Sequence, residues 1–195
     1  LSDGNREIRQ AADSALSEFL REIGRSAVIE FGPMVPIHLG QCHSKERLNR
    51  LTAITWVQEF ITLGGDSLHP FYPALLTAAS HCICDVEFEI RQVAERTNDD
   101  FLLLVKTSKN EIDLEPILAT LVREMGEDYV PVKMASITWV SMLLDKSPGE
   151  MSKFISFLLP HLLVTLSSEA DAVVLLTLRV LSQISLSGST GGNDI

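Results

Sequence analysis

The chain has 195 residues, 46% of them hydrophobic, and sets 26 acidic against 16 basic side chains for a formal charge of −10. That balance argues against a nucleic-acid partner, which needs clustered Lys and Arg, and against docking on anionic lipid through a polybasic patch. The longest apolar run, residues 154–166, is broken by Pro160 and His161 and falls short of the ~20 residues that span a bilayer, so no direct membrane insertion is expected.

In chain order, the first helical pattern is Ile8, Ala12, Ala15 and Phe19, spaced i, i+4, i+7, i+11 along one helix face. The pattern then returns. Arg50, Ala53 and Phe60 lie 41 residues beyond Arg9, Ala12 and Phe19, and Arg91, Ala94 and Phe101 lie 41 further on. A fourth copy slips by one residue, with Val132, Ser136, Trp139 and Leu143 on the face and Lys133 where Arg91 stood. A fifth keeps Val173, Thr177, Val180 and Ile184 but has Val174 at the basic position. The small residue of each copy (Ala12, Ala53, Ala94, Ser136) falls where a neighbouring helix approaches most closely.

Between these helices lie partner segments, each with a proline: Pro36, Pro73, Pro116 and Pro160. The spacing predicts helix pairs at 28–42 with 45–63, 70–83 with 86–105, 114–125 with 130–145, and 151–166 with 170–185. Asp3, Ser44 and Asp85 stand five residues before the register positions, where an N-cap oxygen would take free helix N–H groups. Pro131 fits a helix start because its missing N–H would be unpaired there. Gly64-Gly65-Asp66, residues 107–110 and Ser147-Pro148-Gly149 read as loops.

A period near 41 with two helices per unit marks HEAT or armadillo solenoids. The expected fold is an all-α, right-handed α-solenoid of HEAT (armadillo-like) repeats with about four and a half helical hairpins. It covers 1–186 as one continuous domain, and 187–195 reads as a flexible tail. The first copy supplies only a second helix, and a lone half-repeat cannot bury its apolar side, so the chain reads as a piece of a longer solenoid.

No constellation for catalysis, metal or cofactor emerges. Cys82-x-Cys84 with His81 has no matching second pair for a four-ligand zinc site, and residues i and i+2 on a helix do not face each other. Cys42-His43 could pair a thiol with a base, but adjacent residues seldom give that geometry. The three cysteines, an odd number, are expected as free thiols in a reducing compartment. Trp56 and Trp139 are expected in the core.

Two polar columns repeat. Arg9, Arg50, Arg91 and Lys133 read as an inter-repeat ladder, each cation bonding an acidic or carbonyl group of the next repeat; the alternative is a groove for phosphate or acidic peptide. Glu18, Glu59 and Asp100, 41 apart, form a candidate protein-binding track for a basic partner segment, against the alternative of a solvated helix face. Met142 ends that stripe.

Residues 1–20, 51–60 and 171–176 resemble the vacuole-morphology scaffold family Vac-fourteen, and the likeness runs in order over almost the whole chain. The loop at 106–113 and the tail after Ser187 share less. The resemblance implies a non-catalytic HEAT-repeat scaffold without cofactors. Such a scaffold holds a lipid kinase of the PIKfyve/Fab type together with a Sac-domain phosphoinositide phosphatase. The assembly controls phosphatidylinositol 3,5-bisphosphate on endosomes, lysosomes and vacuoles. The resemblance further implies self-association of the full-length protein and a cytoplasmic location, peripheral on those membranes through the complex. It carries no binding residue onto this segment. A second reading keeps the fold and changes the partner: a transport receptor or protein-phosphatase scaffold whose acidic face grips basic peptides.

Overall fold

Apolar side chains recurring at helical spacing need a second helix to cover them, and the computed structural model of the chain supplies it. The structure describes helical residues 7, 10, 11, 14, 15, 18, 19, 21 and 22 and the stretch 30–190, with side chains to residue 186 in that stretch. Ile8, Arg9, Ala12, Asp3 and the end of the expected tail (191–195) lie outside the described residues.

Among the described residues every regular element is helical. The helices are α1 (Phe31–Gln41), α2 (Arg47–Gly64), α3 (Tyr72–Ile83), α4 (Phe88–Thr107), α5 (Leu114–Met125), α6 (Val130–Lys146), a short α7 (Pro148–Ser152), α8 (Ile155–Thr165) and α9 (Asp171–Thr190). A 3₁₀ segment, Gly65–Phe71, joins α2 to α3. The expected tail begins at Ser187, and α9 runs to Thr190.

The chain divides into two compact units, Leu1–Leu104 with Ser108–Asn110, and Val105–Thr107 with Glu111–Ile195. In the first, α1 packs on α2, α3 lies against both, and the 3₁₀ segment nests among the three. In the second, α5 packs on α6 and α8 on α9, while α8 lies against α5 and α9 against α6. Neighbouring helices thus pack in adjacent pairs, and like helices of consecutive pairs touch.

The repeat columns explain the burial. Ala53, Trp56 and Phe60 of α2 and Ile90, Ala94, Thr97 and Phe101 of α4 are buried, as are Val132, Ser136, Trp139 and Leu143 of α6 and Val173, Thr177 and Val180 of α9. Two buried hydroxyls bond each other: Thr165 and Thr177 share a 2.7 Å contact, and both also reach helix carbonyls. Polar contacts keep the register too. Ser108 Oγ donates to Asp66 Oδ1 (2.7 Å), Gln58 Nε2 to Asp100 Oδ2 (3.3 Å) and Ser141 Oγ to Gln183 Oε1 (2.8 Å), each across 42 residues within one unit.

Two expectations are corrected. Ser44 and Asp85 are not N-caps, because the helices start later and Glu46 and Glu87 take the cap positions. Their side chains instead accept the N–H groups of Glu46 (3.2 Å) and Glu87 (2.9 Å), fixing the turn that precedes each helix. Phe19, on the apolar face of the first copy, is 52% exposed with its ring 5.8 Å from Trp56. The Gly64-Gly65-Asp66 loop is instead a helix end running into the 3₁₀ segment. Gly65 has φ +48°, which suits glycine, and a Cβ on Gly64 would lie 2.6 Å from Leu68 Cγ and 2.9 Å from Phe31 Cζ.

Candidate interaction surface

The turns between paired helices expose main-chain carbonyls that no helix satisfies, and the basic column is placed to bond them. Arg50 Nη1 donates to the carbonyls of Ser44 (3.0 Å) and Lys45 (3.1 Å). Arg91 Nη1 repeats this on Asp85 (2.7 Å) and Val86 (3.0 Å), and its guanidinium lies 5.7 Å from the Phe88 ring centre. Arg50 also crosses to the next pair, with Nε donating to Asp85 Oδ2 (2.6 Å) and Nη2 to Asp85 Oδ1 (3.1 Å). Lys133, in the second unit, has no ion pair among the described residues. Arg9 lies outside them.

The electrostatics of this pair are mutual. The hydrogen bond that Arg50 donates to Asp85 raises the guanidinium above its ordinary value. Burial alone would raise the Asp85 carboxyl, yet hydrogen bonds from Arg50 and the Glu87 N–H, with the Arg50 charge, hold it below the usual carboxylate range. Arg47 adds an exposed pairing across the same two helices, contacting Glu87 and Glu89.

The acidic column lies wholly in the first unit. Glu18 is paired with Arg21 one turn on, and both are well exposed. Asp100 accepts from Gln58 and lies 3.8 Å from Arg96 Nε. Glu59, half-exposed, has no ion pair among the described residues. The three carboxylates are therefore differently engaged, two by local partners. Trp56 and Trp139, 3% and 0% exposed, are core residues, and Trp56 stacks on His38 with ring centres 4.7 Å apart.

The cysteine and histidine positions gather at the C-terminal ends of α1 and α3. Cys42 and Cys82 are buried and Cys84 is exposed. A hydrogen bond between the Cys42 and Cys82 thiols, with burial, pushes the Cys82 thiol up, the reverse of an activated nucleophile. The His43 ring lies on His81. Burial, with His43 and Arg50 nearby, lowers His81 from its ordinary value against the pull of Asp85. Among the described residues no group of three or more His, Cys, Asp or Glu side chains is placed to hold a metal, and no helix is long and apolar enough to cross a membrane.

The arginine-to-turn bonds were not read from the sequence. Their signal was present: Ser44 and Asp85 each stand six residues before an arginine of the column.

No family model matches the chain. Over 180 residues, 92% of its length, the chain is 40% identical to a protein of Arabidopsis thaliana called Protein VAC14 homolog, of which it covers 24%. Over 166 residues it is 20% identical to Vacuole morphology and inheritance protein 14 of Saccharomyces cerevisiae, of which it covers 19%. The chain therefore spans about a quarter of the length of these curated relatives, or less.

Proposed function

We propose, from the likeness of the chain to a segment of the VAC14 proteins, that it is a HEAT-type segment of a non-catalytic scaffold for phosphoinositide metabolism. Its helix pairs stack as a right-handed α-solenoid, each pair supplying one turn of surface. The whole scaffold holds a PIKfyve/Fab-type lipid kinase and a Sac-domain phosphatase together, controlling phosphatidylinositol 3,5-bisphosphate on endosomal, lysosomal and vacuolar membranes. Holding two enzymes on one body raises the effective concentration of each for the other, without any chemistry by the scaffold.

The observation that carries this reading is the 40% identity over 92% of the chain. The structure is compatible with it: contacts recur at a fixed repeat offset, as a stack of like units requires. Within this reading Arg50 ties one pair to the next and Arg91 braces its own turn, while Glu18, Glu59 and Asp100 face a basic segment of a partner. Affinity capture with the full-length protein tests the proposal. The two enzymes together in the eluate would support it; a different set of partners, with neither enzyme present, would refute it.

A further inference from the structure

We propose that His43 and His81 form a binding site for a divalent transition-metal ion of the zinc class, joining the C-terminal ends of α1 and α3. The two rings come from successive helix pairs of the first unit, with centres 4.1 Å apart and planes inclined by 40°. Both side chains are exposed, so an ion can enter from solvent. Imidazole nitrogens sharing one tetrahedral Zn²⁺ at ~2.0–2.1 Å stand about 3.3 Å from each other. Rings so bound have centres about 5 Å apart, so the pair at 4.1 Å opens by about 1 Å to admit the ion.

The setting suits a cation. His43 follows the end of α1 and His81 sits in the last turn of α3, where helix carbonyls concentrate partial negative charge. No Lys or Arg occupies the last turn of either helix. The nearby Arg50 charge is matched by Asp85. Since no third His, Cys, Asp or Glu side chain converges with them among the described residues, water fills the remaining positions. Such a site binds reversibly and clips two helix ends together, unlike a closed four-ligand site. This inference rests on the local geometry and not on the scaffold reading.

Calorimetric titration of the metal-stripped chain with ZnCl₂ tests it. One equivalent should bind and raise the melting temperature, Cu²⁺ should bind more tightly than Zn²⁺, and Mg²⁺ should give no signal. His43→Gln and His81→Gln should each weaken zinc by roughly tenfold or more. His161→Gln and Cys84→Ser should leave binding unchanged. Because both site histidines are exposed, helical circular dichroism should match the parent, and either variant that folds suffices. Absent binding in the parent chain, undiminished binding in both histidine variants, or loss confined to Cys84→Ser would each overturn the proposal.

Discussion

Arg50 holds Asp85 through two nitrogens, Nε to Oδ2 at 2.6 Å and Nη2 to Oδ1 at 3.1 Å, and so ties one helix pair to the turn of the next. The side chains are 13% and 4% exposed, so water screens the pair poorly. Removing one partner leaves the other charge largely buried and unmatched. Asp85→Ala should therefore cost on the order of 3 kcal/mol, read by urea denaturation. Arg50→Ala should cost more than an exposed arginine would, because the carbonyls of Ser44 and Lys45 lose their donor as well.

The same pair gives a pH dependence of known sign. The Asp85 carboxyl is held below its ordinary value in the folded chain. Its contribution is thus present above the unfolded carboxylate range, about pH 4, and is lost as pH falls through the lower folded value. Denaturation at stepped pH should show the parent losing stability more steeply on acidification than Asp85→Asn. Parallel curves would show that the carboxyl contributes nothing there.

Trp56 anchors the first unit, with His38, Phe60 and Phe19 rings 4.7, 5.7 and 5.8 Å away. Trp56→Ala should cost about 3–5 kcal/mol, as truncation of a large buried aromatic does. Thermal melting checks it, with a large fall in the midpoint expected.

Gly64 marks where α2 meets the 3₁₀ segment too closely for a side chain. Gly64→Ala would push a methyl against Leu68 and Phe31, both buried. The expected loss is ~1–3 kcal/mol despite the helix-favouring alanine. Gly40→Ala, which meets nothing within 4 Å, should be neutral or slightly stabilising in the same melt.

Reversing Glu18, Glu59 and Asp100 to Lys should weaken capture of a partner through its basic segment while leaving the fold intact. All three lie at least partly exposed and outside the apolar core, and the loss of the Gln58–Asp100 bond removes one register contact of several. Parallel circular dichroism and capture of the full-length variant separate loss of binding from loss of fold.

Much of this architecture was legible because a 41-residue period repeats both size and polarity at fixed columns. Ala53, Phe60, Ala94 and Phe101 mark helix faces whichever partner covers them, and the predicted α1, α3, α5 and α6 boundaries lie within three residues of those found. Turn geometry was less legible. Ser44 and Asp85 read as caps because their residue types favour caps, yet their distance from Arg47 and Phe88 puts them two residues too early. The 3₁₀ segment hid behind Gly64-Gly65, a pair that marks the end of a helix but does not distinguish a loop from a tighter helical turn. The His43–His81 contact joins residues 38 apart, off the repeat period, so no column revealed it.

The scaffold account is tested most directly by reconstituting the lipid kinase and the phosphatase with increasing amounts of the full-length protein. A body that acts by holding both enzymes should raise phosphatidylinositol 3,5-bisphosphate turnover to a maximum and then lower it, as excess scaffold separates the two onto different copies. Turnover that rises in proportion to the scaffold without a maximum, or persists when both enzymes are left out, would contradict it.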